Sequence, residues 1–293
     1  MRRAIAFLIL FSFTLGATAI PLSSPPLSTN IRDDNGAFNN VQWIEEFFRL
    51  GVYVSDYGFQ IGNDTTTFAL FDANGTNAAS VSSVTGSGNT VTVTGTYNGT
   101  ISFTRTYTIP SGYSNVITVT TQVSNTGAST VDLHIFDTFD PDQGSGFSTT
   151  NDVISNPGGV AGSRGGIATN GRTVLWATQD TAVLGFGGGS SPFGLGINVG
   201  AELNTFLTSP YDPNNAVQDI GFAIAFTAAN LLPDTSQTFS YDMIFGNSET
   251  DVLGTYETLR AGGGGSVPEP ATLVLMSLGL LGLAGRRRGQ FPE

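Results

Sequence analysis

The sequence predicts an all-β protein built as one large antiparallel β-sandwich, and three observations support this. Most of the 293 residues fall into short segments rich in Thr, Val, Ile and aromatic residues, which favour strands. Clusters of Gly, Asn, Asp, Ser and Pro separate these segments, as turns separate the strands of successive hairpins. No regular alternation of strands with helical patterns is found, so a parallel sheet is not indicated.

The first 19 residues are predicted to be a secretory signal peptide. Arginines at positions 2 and 3 precede an apolar stretch at residues 4–15, and Ala17 and Ala19 have the small-x-small spacing of a cleavage site. We expect signal peptidase to cleave after Ala19, and a retained N-terminal anchor is the alternative. Residues 20–260 then form the sandwich domain, and its Pro- and Ser-rich start at residues 20–30 is expected to be mobile.

One short helix near the N-terminus is predicted at residues 39–50. Trp43, Phe47 and Leu50 share a face at helical spacing, and Gly51 is suited to end the helix. A strand is the alternative, because aromatic and β-branched residues are dense in this segment.

The clearest hairpin joins residues 91–96 to residues 100–109. Asn98-Gly99 suggests a two-residue loop, but that loop would place the apolar positions of one strand beside the polar positions of the other. A three-residue loop at 97–99 pairs Val93 with Phe103 and keeps the apolar side chains on one face. We therefore predict the three-residue loop.

A second hairpin is predicted between residues 116–123 and 130–139, joined through residues 124–127, because apolar and polar residues alternate in both segments. The remaining strands are predicted at residues 66–71, 79–84, 173–178, 182–186, 221–226 and 238–245.

Composition excludes several classes of function. The chain has no cysteine, so it has neither a disulfide framework nor a thiolate metal site. Its 11 basic residues are all arginine and stand against 23 acidic ones, giving a net charge of −12. Such a balance argues against nucleic acid and against an anionic membrane surface as partners of the domain. It suits an exported domain kept soluble by negative charge, and it is compatible with binding cations or neutral sugars.

No catalytic residue is singled out. His134 is the one histidine, and no nucleophile elbow accompanies it, so neither a multi-histidine metal site nor a Ser-His-Asp triad is indicated. The glycine-rich residues 185–196 lack the Lys-Ser/Thr ending of a phosphate loop and are predicted to cover an edge of the sandwich. Two carboxylates brought together in space would still allow glycoside hydrolysis.

Two hypotheses concern the acidic residues around one strand end. Asp137, Asp140, Asp142 and Asp152 offer the hard oxygen ligands that calcium prefers, with an ordinary solvated turn as the alternative. Asp137 also shares the phase of its strand's apolar residues, as Arg105 does in an earlier strand. Since a charge that points inward needs a partner, one hypothesis is an Arg105–Asp137 ion pair, and the simpler alternative is that each side chain reaches water at its strand end.

Six aromatic residues could stack on sugar rings or pack inside the sandwich. They are Tyr53, Tyr57, Phe59, Tyr97, Tyr107 and Tyr113.

The C-terminal end has three parts after a flexible Gly-rich linker at residues 261–266. Prolines interrupt any helix at the first part, residues 271–284 form one apolar helix, and a basic cluster follows. The motif residues are Val267, Pro268, Glu269 and Pro270, and the basic cluster is Arg286, Arg287 and Arg288. By the positive-inside rule the arginines stay cytoplasmic and the sandwich lies outside.

This tail at residues 267–288 resembles the PEP-CTERM protein-sorting signal in all three parts. The resemblance implies processing by an exosortase near Pro-Glu-Pro. It also implies a Gram-negative bacterium with an extracellular polysaccharide matrix. The precursor would be tethered in the inner membrane by a transmembrane helix within residues 267–293, and the mature protein would lie at the cell surface or beyond.

The central segment at residues 116–127, with the following strand that ends in Asp140-Pro141-Asp142, is also similar to mutarotase-like large β-sandwiches. No catalytic residue carries over from that likeness. The expected function is therefore a non-enzymatic structural or interaction role at the cell surface or in the matrix. The alternatives are a carbohydrate-binding module and a glycan-active enzyme with paired carboxylates, and no cofactor beyond calcium is expected.

Overall fold

The computed structural model describes residues 19–46, 55–64, 69–70, 79–139, 141, 149–156, 160–167, 171–186, 200–218 and 220–263. Two compact units divide the chain, Met1–Val252 and Leu253–Glu293. Within the described residues the chain forms eighteen strands, all paired antiparallel, and two helices. The predicted all-β class with antiparallel pairing is therefore confirmed.

The first unit begins with a four-stranded sheet that was not predicted. Its strands follow chain order as β1 (Ala19–Ser24), β2 (Leu27–Arg32), β3 (Phe38–Trp43) and β4 (Glu45–Glu46). Ala19, the last residue of the predicted signal peptide, is the first residue of β1 and pairs with Arg32. The expectation of a mobile start at residues 20–30 was wrong, because β1 and β2 pair along their whole length.

The predicted helix at residues 39–50 is also wrong over its described part, which contains β3 and β4. Asn30 pairs with Asn40 while Ile31 pairs with Phe38, so Asn39 is an extra bulged residue. That bulge places Phe38 and Val41 on one buried face although they are three residues apart. The strand that was left open as the alternative therefore forms here, while Phe47 and Leu50, whose spacing favoured the helix, lie outside the described residues.

The largest sheet has nine strands. In spatial order they are β16 (Val217–Gln218), β12 (Thr149–Asn156), β13 (Val160–Ile167), β14 (Thr173–Thr178), β18 (Ser236–Gly246), β10 (Val116–Asn125), β9 (Ile101–Thr108), β8 (Thr90–Tyr97) and β7 (Ala79–Ser87).

A five-stranded sheet faces it. In spatial order its strands are β15 (Ala182–Phe186), β17 (Phe222–Leu231), β11 (Val131–Phe139), β5 (Ser55–Ile61) and β6 (Ala69–Leu70). The strand predicted at 66–71 is described only as β6. The strands predicted at 173–178 and 182–186 match β14 and β15 to the residue.

The first predicted hairpin forms with a different register. Val93 pairs with Arg105 and Tyr97 with Ile101, so the loop consists of residues 98–100 rather than 97–99, and the expected pairing of Val93 with Phe103 was wrong. The two-residue loop is excluded, and the apolar side chains do share one face. Asn98 and Gly99 both have positive φ, at 50° and 65°.

The second predicted hairpin does not form. β10 pairs with β9 and β18, whereas β11 pairs with β5 and β17, so the chain changes sheets between them. Buried Asn125 holds this corner: its side-chain amide donates to the carbonyls of Ser129 and Leu231, and its Oδ1 accepts from the Gly127 amide.

One continuous core lies between the sheets. The ring of Trp176 on β14 meets Phe222 on β17 edge-on, with centroids 4.7 Å apart. On the same inner face of the nine-stranded sheet, Phe38 of the N-terminal sheet lies 4.9 Å from Tyr107 of β9. Both smaller sheets therefore pack on the same side of the large one.

Two helices complete the described chain, and neither was predicted. Leu203 and Phe206 of α1 (Gly200–Thr208) pack on the outer face of the five-stranded sheet, against Phe136 of β11 and two alanines of β17. α2 (Glu249–Gly263) spans the end of the first unit and the start of the second. Residues 261–263 of the predicted linker are the end of α2, so a linker starting at residue 261 was wrong there.

No helix in the described ranges is long and apolar enough to cross a membrane. The predicted apolar tail helix lies outside those ranges.

Candidate functional site

A buried ion pair between Arg105 of β9 and Asp137 of β11 joins the two facing sheets. Both residues sit where alternation places their apolar neighbours: the buried positions of β9 include Phe103 and Tyr107, and those of β11 include Ile135. Arg105 is 1% exposed and Asp137 is 3% exposed. The structure thus brings together the two charged residues that were singled out by their phase.

Every part of the Arg105 guanidinium has a partner. Nη1 donates to Asp137 Oδ2 and to Thr121 Oγ1, both at 3.1 Å, and Nη2 donates to Asp137 Oδ1. Nε donates to the Tyr107 hydroxyl at 2.7 Å, and the guanidinium carbon lies 4.5 Å from the centre of the Tyr57 ring. Such a bidentate, fully bonded arrangement is what makes a buried charge pair tolerable.

The network extends to the N-terminal sheet through two tyrosines. The Tyr107 hydroxyl donates to the carbonyl of Gly36 and the Tyr57 hydroxyl donates to the carbonyl of Asn35, each at 2.7 Å. Gly36 has a φ of 75°, and a Cβ at this position would lie 2.6 Å from a methyl carbon of Val93. The turn before β3 is therefore held against the centre of the sandwich, and only glycine fits there.

Burial and the charge of the partner shift the pKa values of Asp137 and Arg105 in opposite directions. Burial raises the pKa of Asp137, and the charge and hydrogen bonds of Arg105 oppose that rise. Burial by itself would lower the pKa of Arg105, but Asp137, with smaller contributions from Tyr107 and Tyr241, raises this pKa well above its usual value. The guanidinium therefore stays charged, and removing its partner would leave an uncompensated charge inside the protein.

The geometry of this ion pair is suited to stabilising the fold. Both carboxylate oxygens of Asp137 are bonded to Arg105, and neither side chain has appreciable contact with solvent. A carboxylate held in this way cannot reach a substrate or coordinate a cation without breaking the pair.

The four aspartates of the predicted calcium site have different surroundings. Asp137 belongs to the ion pair, Asp152 is half-buried on β12, and Asp140 and Asp142 lie outside the described residues. The described part of the chain contains no group of three or more His, Asp or Glu side chains that could hold a metal ion. A calcium site on the loop of Asp140 and Asp142 stays a prediction.

His134 lies on the outer face of β11, where its Nδ1 is 2.9 Å from the hydroxyl of Thr227 on β17. Burial lowers the pKa of His134, and the nearby charge of Asp132 opposes this effect. The His134 ring therefore takes part in a cross-strand contact on the sheet surface.

Most aromatic residues considered for sugar stacking are in the core. Tyr57, Phe59, Tyr97 and Tyr107 are at most 1% exposed, so of the two alternatives these four residues pack inside the sandwich. Tyr113 is half-buried, and Tyr53 lies outside the described residues. Among the described aromatic residues the exposed one is Tyr211, at 41%, and its hydroxyl accepts from the side-chain amide of Gln218 at 3.2 Å.

The outer face of the nine-stranded sheet carries a surface of hydroxyl groups that sequence reasoning missed. We call the outward-facing side chains of β7, β8, β9, β10 and β18 the hydroxyl face, because almost all of them are Thr or Ser. Cross-strand pairs bond to each other at its periphery, for example Ser83 with Thr94 at 2.8 Å and Ser124 with Ser236 at 2.7 Å. The alternating Thr residues of β8 and β9 were the available signal, but they were interpreted only as strand formers.

The centre of the hydroxyl face differs from its periphery. Thr92 stands opposite Thr106, and Thr104 stands opposite Gln122 on the next strand. Within the described part of the chain, the side chains of these four residues make no hydrogen bond. All four side chains are partly or fully exposed, so their polar groups face solvent.

The residues predicted for sorting and cleavage, namely Ala17, residues 267–270 and residues 286–288, lie outside the described residues.

Comparison with known families matches residues 266–288 to the PEP-CTERM protein-sorting motif. The chain therefore carries this motif, which supports an exported protein that an exosortase processes and that is anchored at the membrane before processing. No match was found among curated proteins.

Solved structures are similar to the sandwich at low sequence identity. A bacterial glucoamylase in complex with acarbose aligns with a TM-score of 0.53 and 13% identity, over 80% of this chain and 32% of the glucoamylase chain. The chain thus spans about a third of that enzyme's length, and the likeness shows the fold alone.

Two further structures align less closely. A galactose mutarotase-like protein from Lactobacillus casei has a TM-score of 0.42 and 9% identity over 78% of this chain and 100% of its own. The heparan sulfate lyase HepC from Pedobacter heparinus has a TM-score of 0.41 and 11% identity over 75% of this chain and 33% of its own.

Proposed function

We propose that this protein is an exosortase substrate whose β-sandwich works outside the inner membrane as a non-enzymatic interaction module of the cell surface or matrix. The match of residues 266–288 to the sorting motif supports the assignment as an exosortase substrate. The predicted signal peptide, with Ala17 and Ala19 at its cleavage site, supports export from the other end of the chain.

The buried polar network supports a non-enzymatic role for the sandwich. Asp137 is the described acid most deeply placed between the sheets, and both of its oxygens are occupied by Arg105. A glycan-active enzyme needs two carboxyl groups that contact the same glycosidic bond, whereas this carboxylate is enclosed by the core. In a direct check, the mature protein should release no reducing sugars from polysaccharides of its own matrix.

Replacement of Pro268-Glu269-Pro270 by alanines tests the sorting assignment. In a host that contains the exosortase, this variant should accumulate as unprocessed protein in the membrane fraction. Replacement of Gly289-Gln290-Phe291 by alanines is the matched control, because these residues follow the basic cluster and should not affect processing. Equal processing of both variants would contradict the proposal.

A further inference from the structure

We propose that the hydroxyl face is a binding surface for a neutral polysaccharide. The inference rests on the proposed role of the sandwich as an interaction module, and it assigns to that module a surface and a class of partner. The surface is centred on Thr92, Thr104, Thr106 and Gln122.

The five strands that form the face are almost free of charge although the protein has a net charge of −12. They contain two charged residues, Arg105 and Asp242. Arg105 points into the core, while Asp242 lies at one border of the face and accepts a hydrogen bond from Thr118 at 2.6 Å. The carboxylate of Asp180 lies at the same border, where it accepts from the amide of Ser240.

The near absence of charge on the hydroxyl face indicates which class of polymer can bind there. An anionic polysaccharide would meet no cation on the face and would be repelled by the negative charge of the protein as a whole. A cationic polymer would bind the acids elsewhere on the surface rather than this face. A neutral polysaccharide meets neither obstacle.

The chemistry of threonine matches that of a sugar ring. Each threonine presents a hydroxyl beside a methyl group, and each pyranose ring presents hydroxyls beside C–H bonds. A hydroxyl can donate once and accept twice, so the unbonded hydroxyls of Thr92, Thr104 and Thr106 retain their full capacity. The amide of Gln122 adds both donors and an acceptor beside them.

The arrangement suits a polymer better than a single sugar. Neighbouring strands are about 4.8 Å apart and alternate residues of one strand are about 6.8 Å apart, so the hydroxyls form a repeating grid. One hydrogen bond between neutral groups adds little net affinity in water. A chain that repeats the same groups over several rows of the grid gains from many weak contacts at once.

Threonine also favours strands for reasons unrelated to binding, and a substitution can separate the two roles. Valine keeps the β-branched shape and the strand preference of threonine but removes the hydroxyl. The double variant Thr104→Val/Thr106→Val should therefore fold and lose binding. Thr106→Ser keeps a hydroxyl and should retain binding, and Thr227→Val, on the outer face of the other sheet, is the matched control.

The test is affinity electrophoresis of the full-length protein in detergent through gels that contain dextran, hydroxyethyl cellulose or alginate. We expect at least one of the two neutral polymers to retard the protein at both low and high salt, and alginate not to. The double valine variant should bind at least about fivefold more weakly, since two hydrogen bonds are lost. Its melting temperature should be unchanged, and if it is lowered, Thr106→Val alone replaces it in the comparison.

Three results would overturn the inference: no retardation by either neutral polymer, equal retardation by alginate, or full binding by a folded valine variant. Processing of the tail is measured separately in cells. Failed binding therefore removes this inference alone, and failed processing leaves the binding result standing.

Discussion

Arg105 donates through both terminal nitrogens to both carboxylate oxygens of Asp137, and this pair links β9 of the nine-stranded sheet to β11 of the five-stranded sheet. The pair is enclosed by Tyr57, Tyr107 and Tyr241, so it is a cross-link within the core. Replacing such a pair by apolar residues can cost little, whereas removing one partner is expensive.

Asp137→Ala should lower the free energy of unfolding by about 3–5 kcal/mol, because it leaves the charge of Arg105 buried without a partner. The double variant Arg105→Met/Asp137→Leu should lose less than the single variant, since no charge remains in the core. Urea denaturation of both variants measures the difference. A single variant that is as stable as the wild type would show that the pair does not form.

Tyr107→Phe should destabilise the protein by about 1–3 kcal/mol, because it leaves Arg105 Nε and the carbonyl of Gly36 without their partner in the core. Tyr113→Phe is the control: that residue is half-buried, and its hydroxyl has no hydrogen-bond partner in the described part of the chain. Thermal unfolding compares the two. Equal melting temperatures for both variants would contradict the inference that the Tyr107 hydroxyl links the buried network to the N-terminal sheet.

Two glycines of the first hairpin should respond differently to alanine. Gly99 has a φ of 65° and open space around its Cβ position, so Gly99→Ala should cost about 1 kcal/mol from backbone strain. At Gly95 a Cβ would lie 2.4 Å from both the Phe103 ring and the carbonyl oxygen of Ser80, so Gly95→Ala should cost at least about 2 kcal/mol. The reverse order in urea denaturation would contradict the register of β7, β8 and β9.

Asp242 should make stability depend on pH. Burial raises the pKa of Asp242 above its usual value of 3.8, and the hydrogen bond from Thr118 opposes this only in part. The folded state therefore holds the proton more tightly than the unfolded state, and stability falls as the pH rises from about 3.8 through the folded-state pKa.

Asp242→Asn removes that dependence while keeping an acceptor for Thr118. The variant should be more stable than the wild type at neutral pH, and the difference should shrink as the pH falls towards 3.8. Urea denaturation across this range provides the measurement. A difference that does not change with pH would show that the carboxylate is not desolvated.

Local alternation accounts for what could be predicted from the sequence. β14 and β15 match their predicted bounds because Gly, Asn, Asp or Gln residues flank short apolar runs on both sides. The phases of Arg105 and Asp137 identified both as inward-facing, since alternation along a strand does not depend on which strand pairs with it. The two side chains meet only because the two sheets face each other. The alternation along a single strand carries no information about that arrangement.

The sequence analysis missed the features of the fold that do not follow from the alternation of apolar and polar residues. The helix at residues 39–50 was predicted from the spacing of Trp43, Phe47 and Leu50, but its described part forms β3 and β4, with a bulge at Asn39 that alternation does not reveal. The corner at Asn125 looks like a hairpin turn because the connection is short, yet the amide of Asn125 bonds to Leu231 of β17 and directs the chain into the other sheet. The hydroxyl face depends on five strands that are distant in sequence, and their order in the sheet is known only from the fold.

The central claim is that residues 266–288 are a sorting signal that an exosortase acts on. Mass spectrometry of the protein recovered from outside the cells measures its C-terminus directly. The sorting assignment predicts that the exported product ends near Pro268-Glu269-Pro270 and lacks residues 286–293, and that deletion of the exosortase gene restores them. Recovery of residues 286–293 still attached to the exported product, in cells that contain the exosortase, would contradict it.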